Sequence, residues 1–399
     1  MHILKRSLLL VIFWGLTSCF SLGQVIDIGE ATRSGKGRLS ISVESPDASV
    51  SGLIRRAFEL HGGYELVAPS KSSYNFKIER TNDDSSVTLI IHSGRPAQEL
   101  LRRVVRGNNL EDAVLRAGDL AVEATLQTKG FFAGKLAFVG KQRGISEIYT
   151  SDLLFRRVRP LTADRALVTG PDWAPDGVRL LYTTYHKSGF PDIYMLDLKN
   201  GRKRAIANFK GTNSSAEFSP DGRQIAMSLS GSGNNEIFVS DSNGRKLRRI
   251  TANKSLETAP TWSPDGSRLV FVSDAQGKPQ LYELPVSGGS MKRLPTNISN
   301  YCSEPACNPV NNDLIAFTAA VRGGFQIAVY NRRSRSSEIL TNMSQSAVEP
   351  VWLNDGRHLV FTRRSKGSTG LMLLDSKTKK VSSLHVPDFG DTSSATFVY

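Results

Sequence analysis

The feature that most constrains this 399-residue chain is a repeat with a period of about 44 residues. Six alternating apolar segments carry it: Leu136-Ala137-Phe138-Val139, Leu180-Leu181-Tyr182-Thr183, Ile225-Ala226-Met227-Ser228, Leu269-Val270-Phe271-Val272, Ile315-Ala316-Phe317-Thr318 and Leu359-Val360-Phe361-Thr362. Their anchors at 138, 182, 227, 271, 317 and 361 are spaced 44, 45, 44, 46 and 44 apart. Ahead of four of them stands one turn signature, in Trp173-Ala174-Pro175-Asp176-Gly177, Phe218-Ser219-Pro220-Asp221-Gly222, Trp262-Ser263-Pro264-Asp265-Gly266 and Trp352-Leu353-Asn354-Asp355-Gly356. Between Cys307 and Asn312 the fourth copy of that signature is degraded. Pro presets φ at the second turn position and Gly closes the fourth, so the motif joins strands and needs no catalytic role. Each period continues with a further strand, as in Glu147-Ile148-Tyr149 and Glu236-Ile237-Phe238-Val239, then a turn and a last strand. Four short strands per unit make a β-propeller blade, with the Trp or Phe before each turn expected to pack between neighbouring blades. No inner strand precedes Leu136, yet Ser394-Ala395-Thr396-Phe397-Val398-Tyr399 aligns with the inner-strand segment Ala216-Glu217-Phe218. The C-terminus is therefore expected to complete the first blade and remove an open sheet edge.

Residues 39–130 lack this period and read as a small α/β domain, with strands at 39–43, 64–68, 75–79 and 87–92 and helices at 49–60, near 96–105 and at 110–127. The expected fold is thus an α/β N-terminal domain followed, over residues 131–399, by an all-β six-bladed propeller closed by a C-terminal strand. Ahead of both, Lys5-Arg6 and the apolar stretch 8–16 have the layout of a secretory signal over residues 1–23. Small residues at Ser21 and Gly23 place cleavage before Gln24, which leaves 24–38 as a flexible arm; Leu16-Thr17-Ser18-Cys19 competes as a lipobox that would acylate Cys19. Both routes export the protein. In an oxidising compartment Cys302 and Cys307 have the chance to pair, and the sequence leaves that open.

Fifty-one Lys and Arg against 37 Asp and Glu give +14, but the basic residues form no run, which weakens a nucleic-acid reading and leaves steering of acidic partners. No Gly-x-Ser-x-Gly elbow occurs, and Gly29 to Lys36 has the wrong spacing for a phosphate loop. His61, His92, His186, His358 and His385 show no metal-ligand spacing. No catalytic residue, metal or cofactor is assigned. Two alternatives stay open: a generic exported adaptor, lipid-anchored through Cys19, and a hydrolase or lactonase at the channel mouth, where each blade supplies one residue.

Over nearly all of the expected mature chain the sequence resembles the TolB family of the Tol-Pal envelope system. The resemblance rests on the α/β domain, the six blades with their Trp-Ser-Pro-Asp-Gly turns, the C-terminal clasp, and Val25-Ile26-Asp27-Ile28-Gly29 after the expected cleavage site. It implies a non-enzymatic, monomeric periplasmic protein, associated with the outer membrane through Pal, the peptidoglycan-associated lipoprotein, and supporting outer-membrane integrity and constriction at cell division. By the same resemblance the arm residues Val25, Ile26, Asp27 and Gly29 dock on TolA, and the propeller mouth binds Pal through loops containing Thr212, Asn213, Glu257, Thr258, Glu304 and Glu349. Thr258 matches a family Thr ahead of Pro-Thr-Trp, whereas some members carry His at the position of Thr212. The recurrence of Glu257, Glu304 and Glu349 before the inner strands is expected to form an acidic ring at one mouth, able to hold a cation or a basic partner residue.

Overall fold

The second strand of every repeat is apolar on both sides, so it is stable only when sheets cover both its faces. Leu269, Val270 and Phe271 illustrate the result, each with no exposed surface. In this computed structural model, which describes residues 37–187, 189–321, 323–384 and 389–399, the six repeats form six four-stranded antiparallel sheets arranged as propeller blades. Their inner strands are Asp391–Val398 in blade 1, Val168–Trp173 in blade 2, Asn213–Phe218 in blade 3, Glu257–Trp262 in blade 4, Cys302–Cys307 in blade 5 and Ser346–Trp352 in blade 6. The C-terminal strand pairs with Lys135–Gln142, Phe397 opposite Leu136, so the clasp forms as expected. The signal, Cys19 and arm assignments, including Val25, Ile26, Asp27 and Gly29, lie outside the described residues.

The aromatic residue before each turn fills the gap between blades. Trp173 packs with Ala137 and Ile148 of blade 1 and with Leu180 and Tyr182 of its own blade; Trp262 and Trp352 repeat the arrangement. In the turns, Gly222 N–H donates to Ser219 C=O (2.8 Å) and Gly266 N–H to Ser263 C=O (2.8 Å). The degraded copy uses Asn308 instead, whose Oδ1 accepts from Val310 and Asn311 N–H and whose Nδ2 donates to Gly356 C=O of blade 6. Cys302 and Cys307 occupy opposite ends of one six-residue strand, roughly 15 Å apart at the usual strand rise, and they are free thiols.

The N-terminal region is a five-stranded sheet built from β1 (Leu39–Glu44), β2 (Tyr64–Leu66), β3 (Tyr74–Arg80), β4 (Ser86–Ser93) and β5 (Gln98–Arg106), in the order β2-β1-β3-β4-β5. Helices α1 (Ala48–Leu60) and α2 (Leu110–Leu126) accompany it, each with a side-chain cap at its N-terminus, from Asp47 and Asn109. The helix expected near 96–105 is corrected: this segment is the edge strand β5. Its Leu100-Leu101 and Val104-Val105 pairs mimic a helical stripe. The irregularity opposite Ile91 and His92 leaves Leu100 as an extra residue in the strand, and the other eight residues pair along β4. Among the described residues no helix is long and apolar enough to cross a membrane.

An antiparallel meander sends the strand 1–2 and 3–4 connections of every blade to one face of the ring, here the turn face. The strand 2–3 and inter-blade connections go to the other, the loop face. The α/β region sits on the turn face. Asn354 Nδ2 donates to Gly130 C=O (2.9 Å), Lys380 Nζ donates to Glu59 C=O at the C-terminal end of α1, and Asp119 of α2 accepts from Phe132 N–H (2.6 Å), Ala133 N–H (3.0 Å) and the Tyr399 hydroxyl (3.0 Å). His61, after α1, packs edge-on against His358 of blade 6, ring centroids 4.5 Å apart.

Gly62 is the closest approach at this junction: a Cβ there would lie 2.1 Å from Asp375 Oδ2, a carboxylate held by Arg357. Gly62→Ala is expected to cost about 1–3 kcal/mol in chemical denaturation, as overpacking does. Gly52→Ala, on the open side of α1 with nothing within 4 Å, is the control and should gain about 0.5–1 kcal/mol. Equal stabilities for the two variants would show that the α/β region does not seat against blade 6 in this way.

Candidate functional site

Every inner strand carries a register irregularity against its second strand, and in every blade it coincides with a residue at positive φ. These residues are Ser394 (47°), Gly170 (55°), Ser215 (52°), Ala259 (50°), Glu304 (51°) and Glu349 (57°). Five of the six are not glycine, so each pays a left-handed conformation for the twist and re-aimed side chains that a bulge gives. The re-aimed residues line a central channel of about 520 Å³, to which all six blades contribute.

Inside it, one side chain from each blade reaches a backbone N–H of the next. Thr396 Oγ1 of blade 1 accepts from Trp173 N–H (3.4 Å), Asp172 Oδ2 of blade 2 from Phe218 N–H (2.8 Å), Glu217 Oε1 of blade 3 from Trp262 N–H (3.1 Å), and Thr261 Oγ1 of blade 4 from Cys307 N–H (3.5 Å). Blades 5 and 6 have Ala306 and Val351 at that position, and the contact moves to the bulge. Glu304 Oε2 accepts from Glu349 N–H (2.9 Å), and Glu349 Oε2 from Ser394 N–H (3.0 Å), each steadied by a threonine, Thr318 or Thr362. All six blade junctions are therefore bridged.

Crowding acids in a narrow channel disfavours their ionised forms. Burial, and then the charge of Glu217, raises the Asp172 carboxyl well above its ordinary value; burial pushes Glu217 up to about 7 against its hydrogen bonds to Trp262 and Thr261. Glu304 is raised by burial and by Glu349. The thiols are inert for the same reason, with Cys307 pushed up to about 12 by burial.

The expected mouth residues separate into three groups. Glu304 and Glu349 line the channel as blade bridges. Thr212 and Thr258 are half-buried at the loop-face mouth, where Thr212 N–H donates to Ser230 Oγ (2.7 Å). Asn213 and Glu257 have no exposed surface. Asn213 clamps its own loop, with Nδ2 donating to Phe209 C=O (2.8 Å) and Pro191 C=O (3.1 Å). Glu257 Oε1 accepts from Ser273 Oγ (2.7 Å), and burial pushes its carboxyl up to about 7. The expected acidic ring does not form. Glu257 pairs with Ser273 as Cys302 pairs with Ala319, two positions before the bulge that Glu304 and Glu349 occupy.

Three features escaped the sequence. The loop face exposes large apolar side chains, Leu167 (52%), Phe209 (46%) and Leu256 (49%) in the first three inter-blade loops and Phe190 (64%) in the strand 2–3 connection of blade 2, and no periodicity marks them as neighbours. The bridging roles of Asp172 and Glu217 need the ring to be closed before they can be seen. On the turn face, His61, Asp355 and His358, nearly 300 residues apart in sequence, bring possible metal-ligand atoms within 4.8 Å of one another, all buried. Their protein partners already account for much of that geometry: His61 Nδ1 accepts from Gly63 N–H (3.0 Å), and His358 Nδ1 donates to Asp355 Oδ2 (2.6 Å). Burial first, then the neighbouring His358 and Arg357, lowers His61 well below its ordinary value, so it stays neutral and serves the domain junction.

The TolB β-propeller domain family matches residues 122–396. Curated relatives include the Tol-Pal system protein TolB of Desulfotalea psychrophila, 32% identical over 113 residues, which make up 28% of this chain and 26% of that protein. The namesake of Francisella tularensis subsp. mediasiatica is 36% identical over 110 residues, 26% of this chain and 25% of that protein. The chain thus matches about a quarter of the length of these relatives. Among solved structures, TolB from Acinetobacter baumannii superimposes with a TM-score of 0.81 at 20% identity, covering 91% of this chain and 97% of that one. A putative TolB from Agrobacterium tumefaciens gives 0.53 at 21% identity over 66% of this chain and 97% of that one. At these identities the two structures show a shared fold.

The raised carboxyl of Glu217 fixes the sign of a pH effect. Its stabilising contribution is full below about pH 4.5, the ordinary value of the group, and is lost as pH rises to about 7. Glu217→Gln keeps an oxygen for Trp262 and Thr261 but cannot ionise. Its melting temperature, relative to the parent, should therefore climb steadily between pH 4.5 and 8; a difference that stays flat across this range would mean that Glu217 is not held protonated in the channel.

Proposed function

The chain belongs to the TolB β-propeller family, and from that membership we propose that it is a periplasmic, non-catalytic docking component of a Tol-Pal system, binding a Pal-like lipoprotein at the loop-face mouth and TolA through residues 25–29. The observation that carries the reading is the rim itself. Leu167, Phe190, Phe209 and Leu256 stand exposed on the loop face along blades 1 to 4, at the end where the central channel opens, and exposed apolar side chains of this size mark an interaction site. Thr212 and Thr258 lie between them, within reach of a partner loop entering the channel. Glu304 and Glu349 would meet such a loop deeper inside. Asn213 and Glu257 hold the rim's shape from beneath. A non-catalytic role accords with the chemistry of the channel, where each acid is bound to a backbone N–H of the next blade and so is poorly placed for proton transfer. Through Pal the protein would associate with the outer membrane and support its integrity and constriction at division.

Calorimetry of the mature chain against the soluble Pal-like domain of the same organism should give saturable one-to-one binding. Thr258→Arg, which puts a long cation across the mouth, should weaken it on the order of tenfold or more. Unchanged affinity would remove this loop from the interface. Deleting residues 24–33 should abolish TolA binding while leaving Pal binding and the melting temperature unchanged; a marked loss of stability would instead make that segment part of the fold.

A further inference from the structure

Bases outnumber acids on both faces of the ring, but the acids are unevenly shared between the two. On the turn face they lie among the bases and pair with some of them: Asp176 with Arg179, Asp313 with Arg333, and Asp375 with Arg357. On the loop face the connections carry Arg143, Arg165, Lys187, Lys210, Lys254 and Lys278, all exposed, with Lys366 continuing the series in blade 6. The described acids within these loops are Asp164, buried and paired with Lys203, and the half-buried Asp274, whose Oδ1 accepts from Leu256 N–H. Among the described residues none of the six basic side chains forms an ion pair. Like charges gathered on one surface repel one another and oppose folding, whereas an unoccupied surface generally intersperses the two signs. In sequence they look scattered because blades 1 to 4 and 6 contribute one or two each; the ring brings them to one face.

We propose that the loop face is built for an acidic protein surface, one that sets carboxylates beside apolar side chains and inserts a polar loop into the channel. This rests on the docking reading above and adds the chemistry of the partner. Arg165 shares a loop with Leu167, Lys187 with Phe190, Lys210 with Phe209 and Lys254 with Leu256, so steering charge and apolar contact are offered by the same loops, the two ingredients of the rim and the core of an interface. A protein fits better than an anionic lipid surface. The mouth opens into a channel whose wall mixes apolar side chains with polar groups from every blade, among them Thr169, Ser214 and Glu349, which a protein loop can hydrogen-bond and acyl chains cannot.

The test uses the mature full-length chain, a Lys187→Glu/Lys210→Glu/Lys254→Glu variant and a Phe190→Ser variant against three probes: the Pal-like domain, a poly-glutamate peptide, and vesicles containing phosphatidylglycerol. The charge-reversed residues are exposed loop side chains, so its melting temperature should match the parent. Affinity for the Pal-like domain should fall about tenfold or more between low and roughly physiological salt, and on the order of a hundredfold on charge reversal, mostly through slower association. Salt-independent binding that survives charge reversal but is lost in Phe190→Ser would overturn the acidic-partner inference and leave the docking reading standing. If the Pal-like domain fails to bind while poly-glutamate binds the parent and not the charge-reversed variant, the docking reading fails and the acidic-surface inference stands. Binding of vesicles alone would make this a lipid-facing surface and overturn the proposal, as would no binding to any probe.

Discussion

A propeller has to be held together where its blades converge, and here that is done by one hydrogen bond per junction inside the channel. Thr396, Asp172, Glu217, Thr261, Glu304 and Glu349 each lend an oxygen to a backbone N–H of the following blade. The bulge in every inner strand makes this possible, because it turns the strand so that these side chains point along the ring. An unsatisfied N–H in so enclosed a place would cost about 1–3 kcal/mol, so the acceptors are a structural requirement of closure. That they are acids at four junctions gives the channel its suppressed ionisation. Glu304 and Glu349, which the sequence singles out as mouth residues, also fasten one blade to the next.

Closure leaves the two faces of the ring with different tasks. The turn face meets the α/β region through blades 1 and 6, and the blade-6 turn has departed from the repeat to do so. Asn354 stands where the other turns have Pro, and its amide reaches Gly130 C=O. His358 begins the second strand where other repeats have Arg179, Gln224 or Arg268, and it is fully buried under His61. The loop face keeps its repeats free of such contacts, and there the exposed Leu167, Phe190, Phe209 and Leu256 stand beside bases that form no ion pair among the described residues.

How much of this the sequence shows depends on whether a feature is periodic. Strand order, the packing of Trp173, Trp262 and Trp352 between blades, and the C-terminal clasp all follow from a repeat of about 44 residues, because periodic burial has few solutions. The edge strand Gln98–Arg106 was legible only as a helix, since its apolar pairs recur at a spacing of four and its true partner is a hairpin neighbour, which local pattern does not reveal. Glu257 aligns with Glu304 and Glu349 by eye and differs by two ladder positions in fact. The bulge position before the shared proline belongs to Ala259 in blade 4 and to Glu304 and Glu349 in blades 5 and 6, and its importance shows only once the strands are paired. The pairing of His61 with His358 depends on how the two regions dock, which neither region's own periodicity records.

One strand takes part in everything described so far. Asp391–Val398 completes blade 1, its Ser394 N–H receives the Glu349 bridge from blade 6, and just beyond its end the Tyr399 hydroxyl donates to Asp119 in α2. The last nine residues thus join ring closure, the channel wall and the seat of the α/β region. The Asp119 carboxylate sits beneath this junction, raised to about 7 by burial although three donors oppose the shift. That balance means the donors are needed to keep an acid there at all: without Tyr399 and the Phe132 and Ala133 N–H groups, nothing in its surroundings would favour the charged form. The clasp therefore does more than hide a sheet edge. It delivers the donor that lets an acidic side chain of the α/β region remain buried against the propeller, so closing the ring and seating the domain are parts of one structural event.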